Sequence, residues 1–195
     1  MGRLRPAAFL DRDGTLNRRP PPHAYLTTPD AFEWLDGARE GAAGLAEAGY
    51  LLAVVSNQRG VARGLVTLET LRAIERRIQE DLRPLGAQIV AFRYCVHDLD
   101  AACTCRKPAP GMIHDLAGDL ELDLGRSWMI GDSETDVATG RHAGCHTAII
   151  GGDLPETKAE VAGSTLLDVS QRIRALTDLR AHPDRSRSHS ETSAS

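Results

Sequence analysis

Aromatic residues are scarce: three Phe, three Tyr and two Trp in 195 residues. A core of this composition must be aliphatic and alanine-rich, and stacked rings contribute little to it. Positive charge is not in excess either. The net charge is −4 and the pI is near 6.0, which argues against general nucleic-acid binding. No apolar run approaches the length of a membrane span, so no membrane partner is expected. Only about five apolar residues precede the first aspartates, too few for a secretory signal peptide. Met1-Gly2 is followed by Pro6 where a myristoylation signal needs Ser or Thr. A cytoplasmic location is expected by default. Cysteine is sparse as well. Three of the four Cys crowd into eleven residues, which reads as a ligand cluster rather than a disulfide framework. There is no internal repeat. What remains, 42% apolar and 26% charged, is ordinary for one globular domain.

The stretch around which the chain is organised is Ala7-Ala8-Phe9-Leu10-Asp11-Arg12-Asp13-Gly14-Thr15-Leu16-Asn17. A short apolar run leading into Gly reads as a buried strand and the turn that ends it. Side chains two apart on an extended segment point the same way. Asp11 and Asp13 are thus expected at a strand's carboxyl end, where open α/β sheets hold their ligands. Two adjacent carboxylates repel, and either a cation or a shared proton must compensate. An Asp nucleophile, an Asp acid/base and a Mg2+ ion would satisfy both conditions. A turn with two solvated aspartates is the alternative.

The rest of the chain alternates apolar strands with helical periods. Residues 18–28 carry Pro20-Pro21-Pro22 and read as a loop over the site. A helix is expected from about Ala38 to Gly49, then a strand over Tyr50–Val55. Thr67 is placed to cap a helix through Leu68, Leu71, Ile74, Ile78 and Leu82. Ile89–Val96 reads as a strand and Pro110–Leu120 as a helix. Ser127–Ile130 is a strand, Val137–Ala143 a short helix, His146–Ile150 a strand, and Leu166–Leu179 a last helix. This order predicts an α/β fold: a Rossmann-like, doubly wound parallel sheet with helices on both faces and no large cap domain. The domain is expected over residues 1–180, with a disordered tail over 181–195.

Four strand ends carry polar groups in turn, and a parallel sheet gathers such ends on one edge. Asp11 would attack phosphorus and form an aspartyl-phosphate. Asp13 would protonate the leaving alkoxide and then deprotonate water. Asp132 would join Asp11, with the Asp13 backbone carbonyl, in holding Mg2+. Ser56 offers a hydroxyl to the phosphoryl oxygens, and Lys107 a charge for the transition state. Arg106 can fork onto a carboxylate or a second phosphate. Asn57, Gln58, Arg59, His23 and Tyr25 are candidate substrate contacts. Asp136, one turn after Asp132, is placed to brace Lys107. Each residue alone has a plainer reading: Ser56 as a strand-end hydroxyl, Lys107 and Arg106 as solvated cations, Asp132 as a helix cap. Cys145 reads as a core thiol.

Cys95, His97, Cys103 and Cys105 form a separate set, C-x-H-x5-C-x-C. Four soft or borderline ligands suit a closed, tetrahedral, structural Zn2+ site in a small loop over 95–105. Chance proximity and a Cys103/Cys105 redox pair are the alternatives, though C-x-C is not the usual redox spacing.

The stretch Phe9–Asn17 resembles the first motif of the haloacid dehalogenase superfamily. Ser56, Lys107 and Gly131-Asp132-Ser133-Glu134-Thr135-Asp136 match its second, third and fourth motifs. Ser56–Gly64 and Cys105-Arg106-Lys107-Pro108 resemble one subgroup, the D-glycero-D-manno-heptose 1,7-bisphosphate 7-phosphatases and histidinol-phosphate phosphatases. The resemblance implies the Mg2+ and zinc sites and the Asp roles given above. It points to a phosphomonoesterase of a small phosphorylated metabolite; a monomer is expected. Gln58–Gly64 and Glu33–Gly37 are closer to the heptose enzymes. The five-residue spacing from His97 to Cys103 is that of the histidinol-phosphate enzymes. Ser56 replaces the commoner Thr, and Ser133 stands where heptose enzymes often have Lys. A non-catalytic, zinc-stabilised binding module is the remaining alternative.

Overall fold

A computed structural model describes residues 4–22, 24–151 and 157–181. The expected tail falls almost wholly outside these residues, as does His23. Six strands form one parallel sheet: β1 (Ala7–Leu10), β2 (Leu51–Asn57), β3 (Ile89–Cys95), β4 (Trp128–Gly131), β5 (His146–Ile150) and β6 (Val161–Gly163), in the order β3-β2-β1-β4-β5-β6. Among the described residues five α-helices connect or flank them: α1 (Ala38–Glu47), α2 (Leu68–Leu82), α3 (Gly111–Leu120), α4 (Glu134–Ala143) and α5 (Leu166–Ala181).

The period-two alternation of β1 divides the interior into two layers. Ala8 and Leu10 join Val54, Ile130 and Ala148 under Ala42 and Leu45 of α1, Ile74 and Ile78 of α2, and Val169 and Ile173 of α5. Ala7 and Phe9 face the other way, with Ala53, Val55 and Met129, onto Met112, Ile113 and Leu116 of α3. Both faces of the sheet are therefore covered, as the near-continuous apolar strands require. Cys145 is buried in the second layer. Aliphatic side chains fill most of the core, and Trp128, Phe9 and Phe32 are its fully buried rings.

Most boundaries agree with the sequence pattern. The Thr67 hydroxyl accepts from the Thr70 amide at 3.0 Å and opens α2. The differences fall at α4, β6 and the last helix. Helix α4 starts at Glu134, three residues before Val137, because its first turn is polar and carries no apolar period. Its cap is Ser133, not Asp132. Strand β6, Val-Ala-Gly, is too short to show alternation, and parallel pairing to β5 is what makes it a strand. The last helix runs to Ala181, past the expected boundary.

Candidate active site

The central strand delivers the first acidic pair. The Asp11 amide donates to the Ile130 carbonyl at 2.9 Å, one step beyond β1. The chain then folds back at once, with the Gly14 amide donating to the Asn17 carbonyl at 2.7 Å. Gly14 has φ of +95°, and a Cβ there would lie 1.8 Å from Asp132 Oδ2. Glycine is thus required on two counts: the left-handed backbone and the close approach of Asp132.

A cleft of about 390 Å³ opens at this sheet edge. Asp11, Asp13, Ser56, Asn57, Gln58, Lys107 and Tyr25 all line it, together with Pro20-Pro21-Pro22. Four separate chain segments supply these residues, which is the convergence that a parallel sheet allows.

Lys107 is buried between two carboxylates. Its Nζ lies 2.7 Å from Asp11 Oδ1 and 2.6 Å from Asp136 Oδ1. The other oxygen of Asp136 accepts from the Ser133 hydroxyl at 2.6 Å and amide at 3.2 Å. Asn57 holds the lysine's backbone, accepting from the Lys107 amide at 3.1 Å and donating to its carbonyl at 3.2 Å. Burial works against the ammonium, but Asp11 and Asp136 outweigh it and hold the Lys107 pKa above its ordinary value. Burial pushes Asp11 up, against the pull of Lys107 and with the neighbouring charge of Asp136.

Asp13 is held differently. Arg12, itself buried, donates to Asp13 Oδ2 at 2.8 Å and Oδ1 at 3.0 Å. Asn17 donates to Oδ1 at 3.0 Å and Gln58 to Oδ2 at 3.0 Å. Burial alone would raise its pKa, but the Arg12 charge and these hydrogen bonds hold it below the ordinary carboxylate value. Gln58 also donates to Ser56 Oγ at 3.1 Å and so links the acid to the strand-end hydroxyl.

Asp11, Asp132 and Asp136 each offer a carboxylate oxygen, all within 4.8 Å of one another. Three hard oxygen donors facing Lys107 and the peripheral Arg19 leave the cluster with excess negative charge. Burial, with Asp11 and Asp136, pushes Asp132 up to about 6 against the pull of Arg19. The donor set fits a divalent hard cation. The Asp13 carboxylate is not in this set, so only its backbone carbonyl is left for the role given to it from sequence.

Cys95, His97, Cys103 and Cys105 also come together within 4.8 Å. Sγ of Cys95 is 3.7 Å from Cys103 Sγ and 3.7 Å from His97 Nδ1. Cys105 Sγ is 3.2 Å from the same ring nitrogen. Tetrahedral Zn2+ with ordinary bond lengths sets its ligands about 3.5–3.8 Å apart; the Cys95 distances match that spacing, the Cys105–His97 pair is slightly closer, and the donor set fits that ion.

Two of the candidate substrate contacts stand elsewhere. Arg59 pairs with Asp98 at 2.5 Å, and the Arg106 guanidinium donates to the His97 carbonyl; neither lines the cleft. One cleft cation escaped the sequence reading. Arg19 lines the cleft and its Nη2 is 2.5 Å from Asp132 Oδ1. A lone Arg in a polar loop carries no spacing signal, and only the fold brings it to Asp132.

Known proteins agree with this geometry. A HAD-hydrolase-like family model matches residues 104–164. The D-glycero-beta-D-manno-heptose-1,7-bisphosphate 7-phosphatase of Rhodopseudomonas palustris is 42% identical over 147 residues, covering 72% of this chain and 80% of the relative. The enzyme of that name from Photorhabdus laumondii is 36% identical over 172 residues, covering 84% and 90%. The crystal structure of D,D-heptose 1,7-bisphosphate phosphatase from B. bronchiseptica, complexed with magnesium and phosphate, superposes with a TM-score of 0.78 at 31% identity, covering 89% of this chain and 99% of that one. The chain therefore belongs to the haloacid dehalogenase-like phosphatases, in the subgroup of the heptose 1,7-bisphosphate 7-phosphatases and histidinol-phosphate phosphatases.

Proposed function

We propose that this phosphatase is Mg2+-dependent and removes the 7-phosphate of D-glycero-D-manno-heptose 1,7-bisphosphate through an aspartyl-phosphate on Asp11. The observation that carries the reading is the Asp11–Lys107–Asp136 group beside Asp13 in one cleft. The named heptose relatives support the substrate, and the magnesium and phosphate bound in the B. bronchiseptica structure support the cation and the phosphoryl chemistry.

Asp11 and Asp132, with the Asp13 carbonyl, are the groups that would hold Mg2+, while both oxygens of Asp136 are engaged with Lys107 and Ser133. When bound, the ion neutralises charge between the carboxylates and the incoming phosphate. An Asp11 carboxylate oxygen attacks phosphorus, and the bond from phosphorus to the sugar oxygen breaks. Asp13 delivers a proton to that oxygen as it leaves. In the second half Asp13 takes a proton from water, whose oxygen displaces the Asp11 carboxylate and releases phosphate. Lys107 and the Ser56 hydroxyl meet the phosphoryl oxygens as they gain charge. Cys95, His97, Cys103 and Cys105 would hold Zn2+ in a closed shell that does no chemistry. Its work is to pin the loop that leads directly into Arg106 and Lys107.

The test is phosphate release from a panel of sugar phosphates, with kcat/KM for the heptose bisphosphate and for histidinol phosphate measured side by side. A clear preference for histidinol phosphate refutes the substrate. Asp11→Asn should abolish turnover with the fold intact, and activity within about tenfold of wild type would sink the nucleophile assignment.

A further inference from the structure

Among the described residues the cleft is lined by three cationic side chains, Arg12, Arg19 and Lys107, and two of them are committed. Arg12 is buried and forks onto Asp13. Lys107 is buried between Asp11 and Asp136. Arg19 is the third: its side chain is 55% exposed and its contact is to Asp132. Of the arginines read from sequence as substrate contacts, Arg59 pairs with Asp98 and Arg106, the candidate for a carboxylate or second phosphate, donates to the His97 carbonyl, and neither lines the cleft.

The backbone that carries Arg19 is fixed on both sides. Asn17, buried, donates to the Arg18 carbonyl at 2.8 Å, and the Arg18 amide donates to the Glu33 carbonyl at 2.8 Å. Pro20-Pro21-Pro22 follows, with φ locked at each ring. The root of Arg19 is therefore set, and its long side chain supplies the freedom. Its partner Asp132 is one of the three carboxylates that fit a divalent cation. Such an ion would compete with Arg19 for Asp132 and release the guanidinium into the cleft. A guanidinium fork matches the paired oxygens of a phosphate better than it matches a sugar hydroxyl.

We propose that Arg19 is a specificity-determining residue that reads a second phosphate of the substrate, the one not attacked by Asp11, after parting from Asp132. The inference rests on the sugar-bisphosphate reading above. It gives the far phosphate a contact on the loop at 18–22.

The experiment compares wild type, Arg19→Ala and Arg19→Lys on the heptose bisphosphate and on the same sugar carrying only the 7-phosphate. Wild type should prefer the bisphosphate. Arg19→Ala should shrink that preference by about 10- to 100-fold, mainly through KM, as expected when a charge-assisted contact is lost. Arg19→Lys should keep part of it. Calorimetric titration of the substrate-free proteins with Mg2+ separates the alternative. Arg19→Ala should bind the ion at least as tightly as wild type. An unchanged preference, or equal loss on both substrates with weaker Mg2+ binding, overturns the proposal, because Arg19 would then act through Asp132. Failure of wild type on both heptose phosphates would refute the substrate reading alone. Arg19 would then be judged on fructose 1,6-bisphosphate against fructose 6-phosphate, and no wild-type preference for a second phosphate on any pair would overturn it.

Discussion

Lys107 is held from behind by Asp136: Nζ and Oδ1 are 2.6 Å apart, both groups buried, and the same ammonium reaches Asp11 at 2.7 Å. Asp136 therefore aims the lysine at Asp11. Asp136→Ala strands a buried ammonium beside an unfilled space, and removing one partner of a buried pair costs about 3–5 kcal/mol. The loss should appear as a lower urea midpoint. Asp136→Asn keeps an acceptor but turns a neutral group toward Lys107, so kcat should fall by roughly 10- to 100-fold with a smaller stability loss. Unchanged kcat in the Asn variant would mean that Asp11 alone positions the lysine.

Gly14 and Asp132 make a second, steric prediction. A methyl group at Gly14 would sit 1.8 Å from Asp132 Oδ2, on a backbone at φ +95°. Gly14→Ala must push Asp132 away from Asp11. Mg2+ affinity should weaken at least tenfold by titration, and kcat/KM should fall in step. Tight Mg2+ binding by this variant would remove Asp132 from the ligand set.

Much of this site was legible before any fold was known, because each piece sits at the end of an apolar run. Asp11, Ser56 and Asp132 each follow a strand that the pattern identifies, and a parallel sheet then assembles them. Even the bracing of Lys107 by Asp136 follows from one helical turn of spacing. Arg19, β6 and the roles of Asn57 and Gln58 were not legible. A three-residue strand has no period, and a loop arginine gains its partner only through tertiary folding. Asn57 and Gln58 read as substrate contacts because they follow Ser56. In the fold Asn57 clamps the Lys107 backbone and Gln58 donates to Asp13.

The metal loop should be a unit of local stability. Between Cys95 and Lys107 the chain has little apolar burial, and Leu99 is 64% exposed. Binding energy at four ligands would replace a hydrophobic core there. Metal analysis of the purified full chain should return about one equivalent of zinc, and less than half would count against the site. Cys105→Ser should lower that content and speed amide exchange over residues 96–106. The central strands should keep their protection. Since Lys107 follows two residues later, kcat should fall with the loop's order. Loss of zinc without faster exchange would show that the loop holds itself.

Asp13 must hold a proton when the sugar oxygen leaves and none when water attacks. Burial works to raise its pKa, but the Arg12 charge and hydrogen bonds from Arg12, Asn17 and Gln58 hold it low. Asp13 is therefore ionised in the free enzyme at neutral pH, ready for the second step and not for the first. The proton for the first step must arrive with the substrate as its phosphate monoanion. Phosphomonoesters lose that proton near pH 6, so at saturating Mg2+, whose charge would keep Asp11 and Asp132 ionised against their raised values, kcat/KM should stay level from the depressed Asp13 value up to about 6. Above that it should fall about tenfold per pH unit, as the monoanion disappears. Gln58→Met removes one donor that favours the charged form, so the acid limb should move to higher pH. A profile level to pH 8 would mean that Asp13 keeps its own proton against three donors.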